Sequence, residues 1–233
     1  MPQISDKPIR SDIIKNLEDS IRGFETNFPL EGFRKNNFRQ FPGITLLTCS
    51  DARMPVNIYG EIFNRIFSIE NIGNQVKTNE GSILYGLLHL HTPIMIIAGH
   101  TDCGAIKAAK SNFIDEPLAI RHEVSIVKNS LEDAQRKTGI QLDGDSQLRI
   151  TQLAELNVDM QIQYLLSNYA VADLVNNHKL LIFGLMVDLH NVHEEGHGIT
   201  YTININGDNS LDKIKNYPDL GIFSERAKRV TPV

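Results

Sequence analysis

Short unbroken apolar runs punctuate the middle of this chain, and amphipathic stretches separate them. Ile44 to Thr48, Ile66 to Ile69, Ile94 to Ala98 and Leu180 to Asp188 are rich in Ile, Leu and Val and are bounded by polar or turn residues. Strands buried on both faces of a parallel sheet read this way. Gly198 to Asn206 differs, because Ile199, Tyr201, Ile203 and Ile205 alternate with polar residues. That period of two predicts an edge or antiparallel strand. Between the runs, Thr78 to His91, Ala119 to Lys137, Leu148 to Leu166 and Ala170 to Asn177 carry apolar residues at helical spacing. Pro55 to Phe63 and Cys103 to Ser111 read as shorter helices, the first with Pro55 in its opening turn. The pattern predicts an α/β fold: a mainly parallel central sheet, about four parallel strands plus an antiparallel edge strand, flanked by helices.

Before the first run, Ser11 to Asn27 places Ile13, Ile14, Leu17, Ile21 and Phe24 on one helical stripe, with Ser11 as a capping residue. Residues 1–35 therefore read as an N-terminal helical arm, 36–206 as the α/β core and 207–233 as a tail without a clear pattern. The whole is expected to form a single domain.

Composition narrows the field. A chain of 233 residues with 41% hydrophobic content suits one domain with a sizeable core. A net charge of −5 gives no reason to expect nucleic acid or an anionic membrane as partner. Met1 to Arg10 is polar and lacks the apolar segment of a signal peptide. Leu180 to Leu189, the best membrane-span candidate, is too short. These features predict a cytoplasmic, reduced protein.

Only two cysteines occur, Cys49 and Cys103, each just beyond an apolar run. Ligands of open parallel sheets sit at the carboxyl ends of the strands, where both cysteines fall. His100 precedes Cys103 by three positions. Two thiolates and an imidazole make a three-ligand zinc set with a fourth position left for water or substrate. Burial as small apolar residues is the plain alternative for the cysteines. A disulfide between them is disfavoured in a reduced compartment.

Cys49-x-Asp51-x-Arg53 followed by His100-x-x-Cys103 resembles the signature of the β-class carbonic anhydrases, and the likeness runs from about Phe38 to about Asn206. The resemblance implies one Zn2+ per chain, held by Cys49, His100 and Cys103. It implies reversible hydration of carbon dioxide to bicarbonate and a proton, by attack of zinc-bound hydroxide. Asp51 is then expected to orient the zinc-bound water by accepting its proton in a hydrogen bond, and Arg53 to hold Asp51 through paired, charge-assisted bonds. Gln40, Phe67 and Tyr85 match residues of the family's substrate pocket, in the subtype whose zinc keeps a water and does not bind the nearby Asp. A homodimer or homotetramer with the pocket at a subunit interface is implied, with the N-terminal helix lying on a partner subunit; an ordinary helix packed on its own domain accounts for the apolar stripe equally well.

The chain departs from the family where Glu70 replaces a usual Arg, and Arg65 stands ready as an alternative ion-pair partner. Glu155-Leu156-Asn157-Val158 resembles a structural acid-x-Asn-Val segment. Asp102 reads as a helix cap, and His190, His193 and His197 as surface loop residues. Two further functions share the same ligands: hydrolysis of carbonyl sulfide or carbon disulfide, and a non-catalytic, bicarbonate-responsive zinc protein.

Overall fold

Ile44–Cys49 (β1), Ile66–Asn71 (β2), Ile94–His100 (β3) and Leu181–Asp188 (β4) are the four apolar runs, and they pair in parallel. Ile199–Ile205 (β5) joins β4 antiparallel and closes one edge, giving the sheet order β2-β1-β3-β4-β5. The computed structural model describes residues 9–144 and 146–232. It divides into two compact units, Met1–Phe41 and Pro42–Val233.

In the larger unit, side chains alternate across the sheet as the pleat requires. Leu47, Met95, Ile97, Ile182, Met186 and Ile203 bury one face against helices Gly104–Lys110 (α4), Leu118–Thr138 (α5) and Ser146–Leu166 (α6). The expected stripe of α5, Val124, Val127 and Leu131, lies in that layer. Gly99 lets α6 approach β3, since a Cβ there would come within 2.9 Å of the Val158 side chain. Tyr169–Asn176 (α7) follows, with the Asn168 side chain accepting from the Ala170 and Val171 amides as an N-cap. The opposite face carries Leu46, Ile96, Ala98, Phe183, Leu185 and Ile205. It is covered by Ile214, Leu220 and Ala227 from the C-terminal segment.

That segment, unreadable in the sequence, forms Leu211–Lys215 (α8) and Ile222–Glu225 (α9). It then buries Arg229 at 1% side-chain exposure against Asp159, 2.8 Å away. Glu155 accepts hydrogen bonds from the Val230 and Thr231 amides. The structural role expected of the Glu155 segment is therefore a latch for the chain's C-terminal end.

Some local expectations are corrected. Pro55 to Phe63 forms only one 3-10 turn, Val56–Tyr59, because Gly60 at φ 115° ends it. The helix expected from Thr78 starts at Glu80 as Glu80–Leu84 (α3) and widens into a π turn over Tyr85–His89. Asn79 occupies its N-cap without a side-chain cap, since the Asn71 amide holds the Asn79 Oδ1 at 2.7 Å. Arg65 and Glu70 form no ion pair among the described residues. An odd separation along one strand sends their side chains to opposite faces.

In the smaller unit, Arg10–Thr26 (α1) is capped at Ile9 and not at Ser11. Its stripe of Ile13, Ile14, Leu17, Ile21 and Phe24 stays 51–59% exposed. Leu30–Lys35 (α2) follows. Phe24, Phe28, Phe33 and Phe38 stack edge to face in sequence, with centroids 5.4–5.9 Å apart.

Candidate metal centre

Parallel pairing in register brings the carboxyl ends of β1 and β3 to the same edge of the sheet. Cys49 is the last residue of β1 and His100 the last of β3. The chain then turns through Asp102, at φ 60°, and Cys103 becomes the N-cap of α4. The two sulfurs and a ring nitrogen of His100 lie within 4.8 Å of one another, all three residues buried. Both cysteines are free thiols.

The donor atoms are prepared for a cation. His100 Nδ1 lies 2.9 Å from the Thr101 carbonyl, which can only accept, so Nδ1 carries the proton. The lone pair then sits on Nε2, a buried atom without a hydrogen-bond partner among the described residues. A buried acceptor left in this way is costly unless something occupies it. The hydrogen bond from the Cys103 thiol is the largest influence on Cys49 and holds it below the ordinary thiol range. Burial opposes this, and His100 and the Gly73 amide reinforce it. Cys103 is pushed well above its ordinary value by its bond to Cys49 and by burial. Thiols bind a divalent cation as thiolates, so a cation held here would displace their protons. Two sulfurs and one imidazole nitrogen suit a zinc ion with ligands about 2.0–2.3 Å away and one position open.

Gly73 is indispensable to this wall. It sits at φ 75°, and a Cβ would lie 2.8 Å from Val127 Cγ2. Its carbonyl accepts from Gln75 Nε2 at 2.7 Å and from Asn157 Nδ2 at 2.9 Å, so Asn157 on α6 fixes the loop whose amide faces Cys49.

Asp51 stands beside the cluster, its Oδ2 3.7 Å from His100 Nε2. Arg53 grips it with Nε on Oδ1 at 2.8 Å, Nη2 on Oδ2 at 2.7 Å and its own amide on Oδ1 at 3.0 Å. These bonds, the Arg53 guanidinium first among them, hold the Asp51 carboxyl well below the usual carboxylate range.

Two of the three residues matched to the family's pocket, Phe67 and Tyr85, lie in the same unit as the cluster. Phe67 pairs in register with Thr45, four residues before Cys49. It therefore lies about 13 Å along the sheet from the sulfur level, at roughly 3.3 Å per residue. Tyr85 is beside it, the ring centroids 6.0 Å apart, and is 43% exposed. Gln40 is exposed and belongs to the smaller unit. His190, His193 and His197 do not converge on a metal position. Among the described residues Cys49, His100 and Cys103 form the one group able to hold an ion. Sequence reasoning missed the part played by Asp102, whose carboxylate meets Arg53 Nη1 at 3.6 Å. Its position between two ligand residues was the available signal.

The sequence profile described as carbonic anhydrase matches residues 44–194. A carbonic anhydrase of Synechococcus elongatus is 28% identical over 195 residues, covering 76% of this chain and 68% of that protein. A carbonic anhydrase of Saccharomyces cerevisiae is 25% identical over 169 residues, covering 64% and 71%. Among solved structures, a tetrameric β-carbonic anhydrase of Sordaria macrospora superposes with a TM-score of 0.66 at 22% identity, covering 83% of this chain and 96% of that one. The Coccomyxa β-carbonic anhydrase in complex with acetazolamide gives 0.65 at 20% identity, covering 96% and 100%. At that identity the superpositions establish the fold. Together with the profile match, they place this chain in the carbonic anhydrase family, β class.

Proposed function

We propose that this chain catalyses the reversible hydration of carbon dioxide to bicarbonate and a proton, with a single zinc ion held by Cys49, His100 and Cys103. The observation that carries the reading is the buried His100 Nε2, orphaned between two thiols and facing a carboxylate that Arg53 holds. When bound, the metal supplies Lewis acidity and a water acidified enough to be a nucleophile near neutral pH. Asp51 orients that nucleophile by accepting its hydrogen bond, which aims a lone pair at the carbon of carbon dioxide. Arg53 keeps the carboxylate in place and charged. Water adds to carbon dioxide, and one proton leaves to buffer, so the reaction balances without a redox partner.

Phe67 and Tyr85 belong to this function through a second copy of the chain. They lie too far along their own sheet to line their own metal centre, yet Tyr85 is exposed and free to line a partner's. The exposed stripe of α1 supports the same homo-oligomer, since an apolar face of this kind seeks burial. The tetrameric relative from Sordaria macrospora agrees with it. Among the described residues no helix is long and apolar enough to cross a membrane. Two free thiols favour a reducing, cytoplasmic setting. The test is stopped-flow hydration of carbon dioxide by zinc-replete protein, run beside an assay of sulfide release from carbonyl sulfide. Hydration without sulfide release is the expected result, and the reverse would move the site to the sulfur substrate.

A further inference from the structure

Arg53 has two edges, and Asp51 occupies one of them. The other faces the loop between the two ligand residues of α4 and β3. Arg53 Nη1 lies 3.6 Å from Asp102 Oδ2, and Nη2 lies 3.5 Å from the Asp102 carbonyl. The second carboxylate oxygen of Asp102 meets the Lys107 ammonium. Burial works against the charge on Asp102, and Lys107, His190 and Arg53 outweigh it, so the carboxyl is held below its ordinary range. At φ 60°, Asp102 occupies the left-handed region, which Asp tolerates better than most residues.

His190 reaches this carboxylate from the β4–β5 loop. The loop is pinned at its start by the buried Asp188 carboxylate, which accepts from the amides of His190 at 3.2 Å, Val192 at 3.0 Å and His193 at 2.9 Å. The Leu189 amide donates to Thr101 Oγ1 at 2.9 Å. The Thr101 hydroxyl then has its own hydrogen free for His190 Nδ1, 3.2 Å away. His190 Nδ1 is therefore the acceptor, which leaves the proton on Nε2, and Nε2 faces Asp102 Oδ2 at 3.6 Å. The same Thr101 supplies the carbonyl that sets the His100 tautomer.

We infer that Asp102 and His190 are positioning residues for the Asp51–Arg53 pair: Asp102 clamps the free edge of the guanidinium, and His190 clamps Asp102. Arg53 is 45% exposed at its side chain, and one carboxylate partner would leave it free to exchange with solvent. A guanidinium held from both edges keeps both Asp51 oxygens in its fork and holds Oδ2 at 3.7 Å from His100 Nε2, short of a closer approach. The inference rests on the proposed hydration reaction for its kinetic consequence but not for its structural one.

The experiment uses the full chain loaded with zinc, as wild type, Asp102→Asn, Arg53→Ala and the double variant. Asn keeps the size of Asp and its tolerance of a positive φ. The structural readout is hydrogen exchange of the Arg53 Nε–H, seen in spectra of protein labelled with 15N-arginine. It is expected to quicken by about tenfold or more in Asp102→Asn, as a guanidinium freed on one edge opens more often. The kinetic readout is carbon dioxide hydration. Asp102→Asn is expected to lower kcat by about tenfold to a hundredfold, the scale of a small misplacement at a reacting centre, with KM and zinc content unchanged. In the Arg53→Ala background the same change is expected to cost nothing more, because Asp102 acts through Arg53. His190→Gln, which retains an amide donor for Asp102, should lose less than His190→Ala. Unchanged Arg53 exchange in Asp102→Asn would overturn the inference, and so would a loss that adds in full on top of Arg53→Ala. A wild-type protein that binds zinc but does not hydrate carbon dioxide would fail the proposed function, and Arg53 exchange would then decide the clamp by itself.

Discussion

The Asp51 carboxylate oxygen Oδ2 lies 3.7 Å from His100 Nε2, the nitrogen that points into the metal position. A carboxylate at that distance needs only a small rotation to become a ligand. Arg53 prevents it with two parallel hydrogen bonds of 2.8 and 2.7 Å, a fork that matches a carboxylate edge. Asp51 is therefore poised between the Arg53 guanidinium and any cation held by the cluster.

The first expectation concerns the ligands. Cys49→Ser, His100→Ala and Cys103→Ser should each bind less than about a tenth of the wild-type zinc, since three protein ligands are the minimum for an open site. No further cysteine is present to substitute. Metal analysis by atomic emission checks this, and full zinc in any one variant removes that residue from the centre.

Arg53→Ala should retain zinc and lose hydration activity by about a hundredfold or more, the scale of a positioned acid–base group set free. In the absence of Arg53, Asp51 is expected to bind the metal. A crystal structure of this zinc-loaded variant should show an Asp51 carboxylate oxygen about 2 Å from the metal, in place of water. Wild-type turnover would reduce the ion pair to a structural contact.

Phe67→Ala and Tyr85→Ala should leave the zinc content intact and lower kcat/KM, because these side chains are proposed to serve a partner's site. Dilution that dissociates the assembly should abolish activity while each chain keeps its zinc. Light scattering beside the assay reads both. A monomer with full activity would show that the pocket is complete within one chain.

Arg229 is buried between two carboxylates, its Nη2 2.8 Å from Asp159 and its Nε 3.8 Å from Glu155. Arg229→Met should destabilise the fold by about 3–5 kcal/mol, because it leaves uncompensated charge in the core. Thermal unfolding should fall by about 10 °C. Neutralising all three residues together should restore part of the loss, and a single variant as stable as the wild type would show the latch to be idle.

Much of the sheet is legible in the sequence because burial on both faces writes continuous apolar runs, as at Ile94–Ala98. The one alternating run, Ile199 to Ile205, was rightly an antiparallel edge. The ligand trio is legible for a similar reason, since Cys49, His100 and Cys103 each end or follow such a run. What escaped was set by tertiary contacts. Arg229 looks like an ordinary tail residue until Glu155 and Asp159 on a helix seventy residues earlier surround it. His190 reads as a surface histidine because nothing local reveals that Asp188 folds its loop back over Thr101. Phe67 and Tyr85 lie 6.0 Å apart between ring centroids, and their height along the sheet follows from register, which sequence spacing does not carry.

The most direct measurement is stopped-flow hydration of carbon dioxide, followed with a pH indicator, on zinc-replete wild type and Asp51→Asn. The wild type is expected to show saturable hydration far above the buffer rate. Asp51→Asn is expected to keep its zinc and lose activity by about a hundredfold or more, the contribution of a positioned proton acceptor. A zinc-replete wild type no faster than buffer, or an Asp51→Asn protein with undiminished turnover, would contradict the proposed hydration.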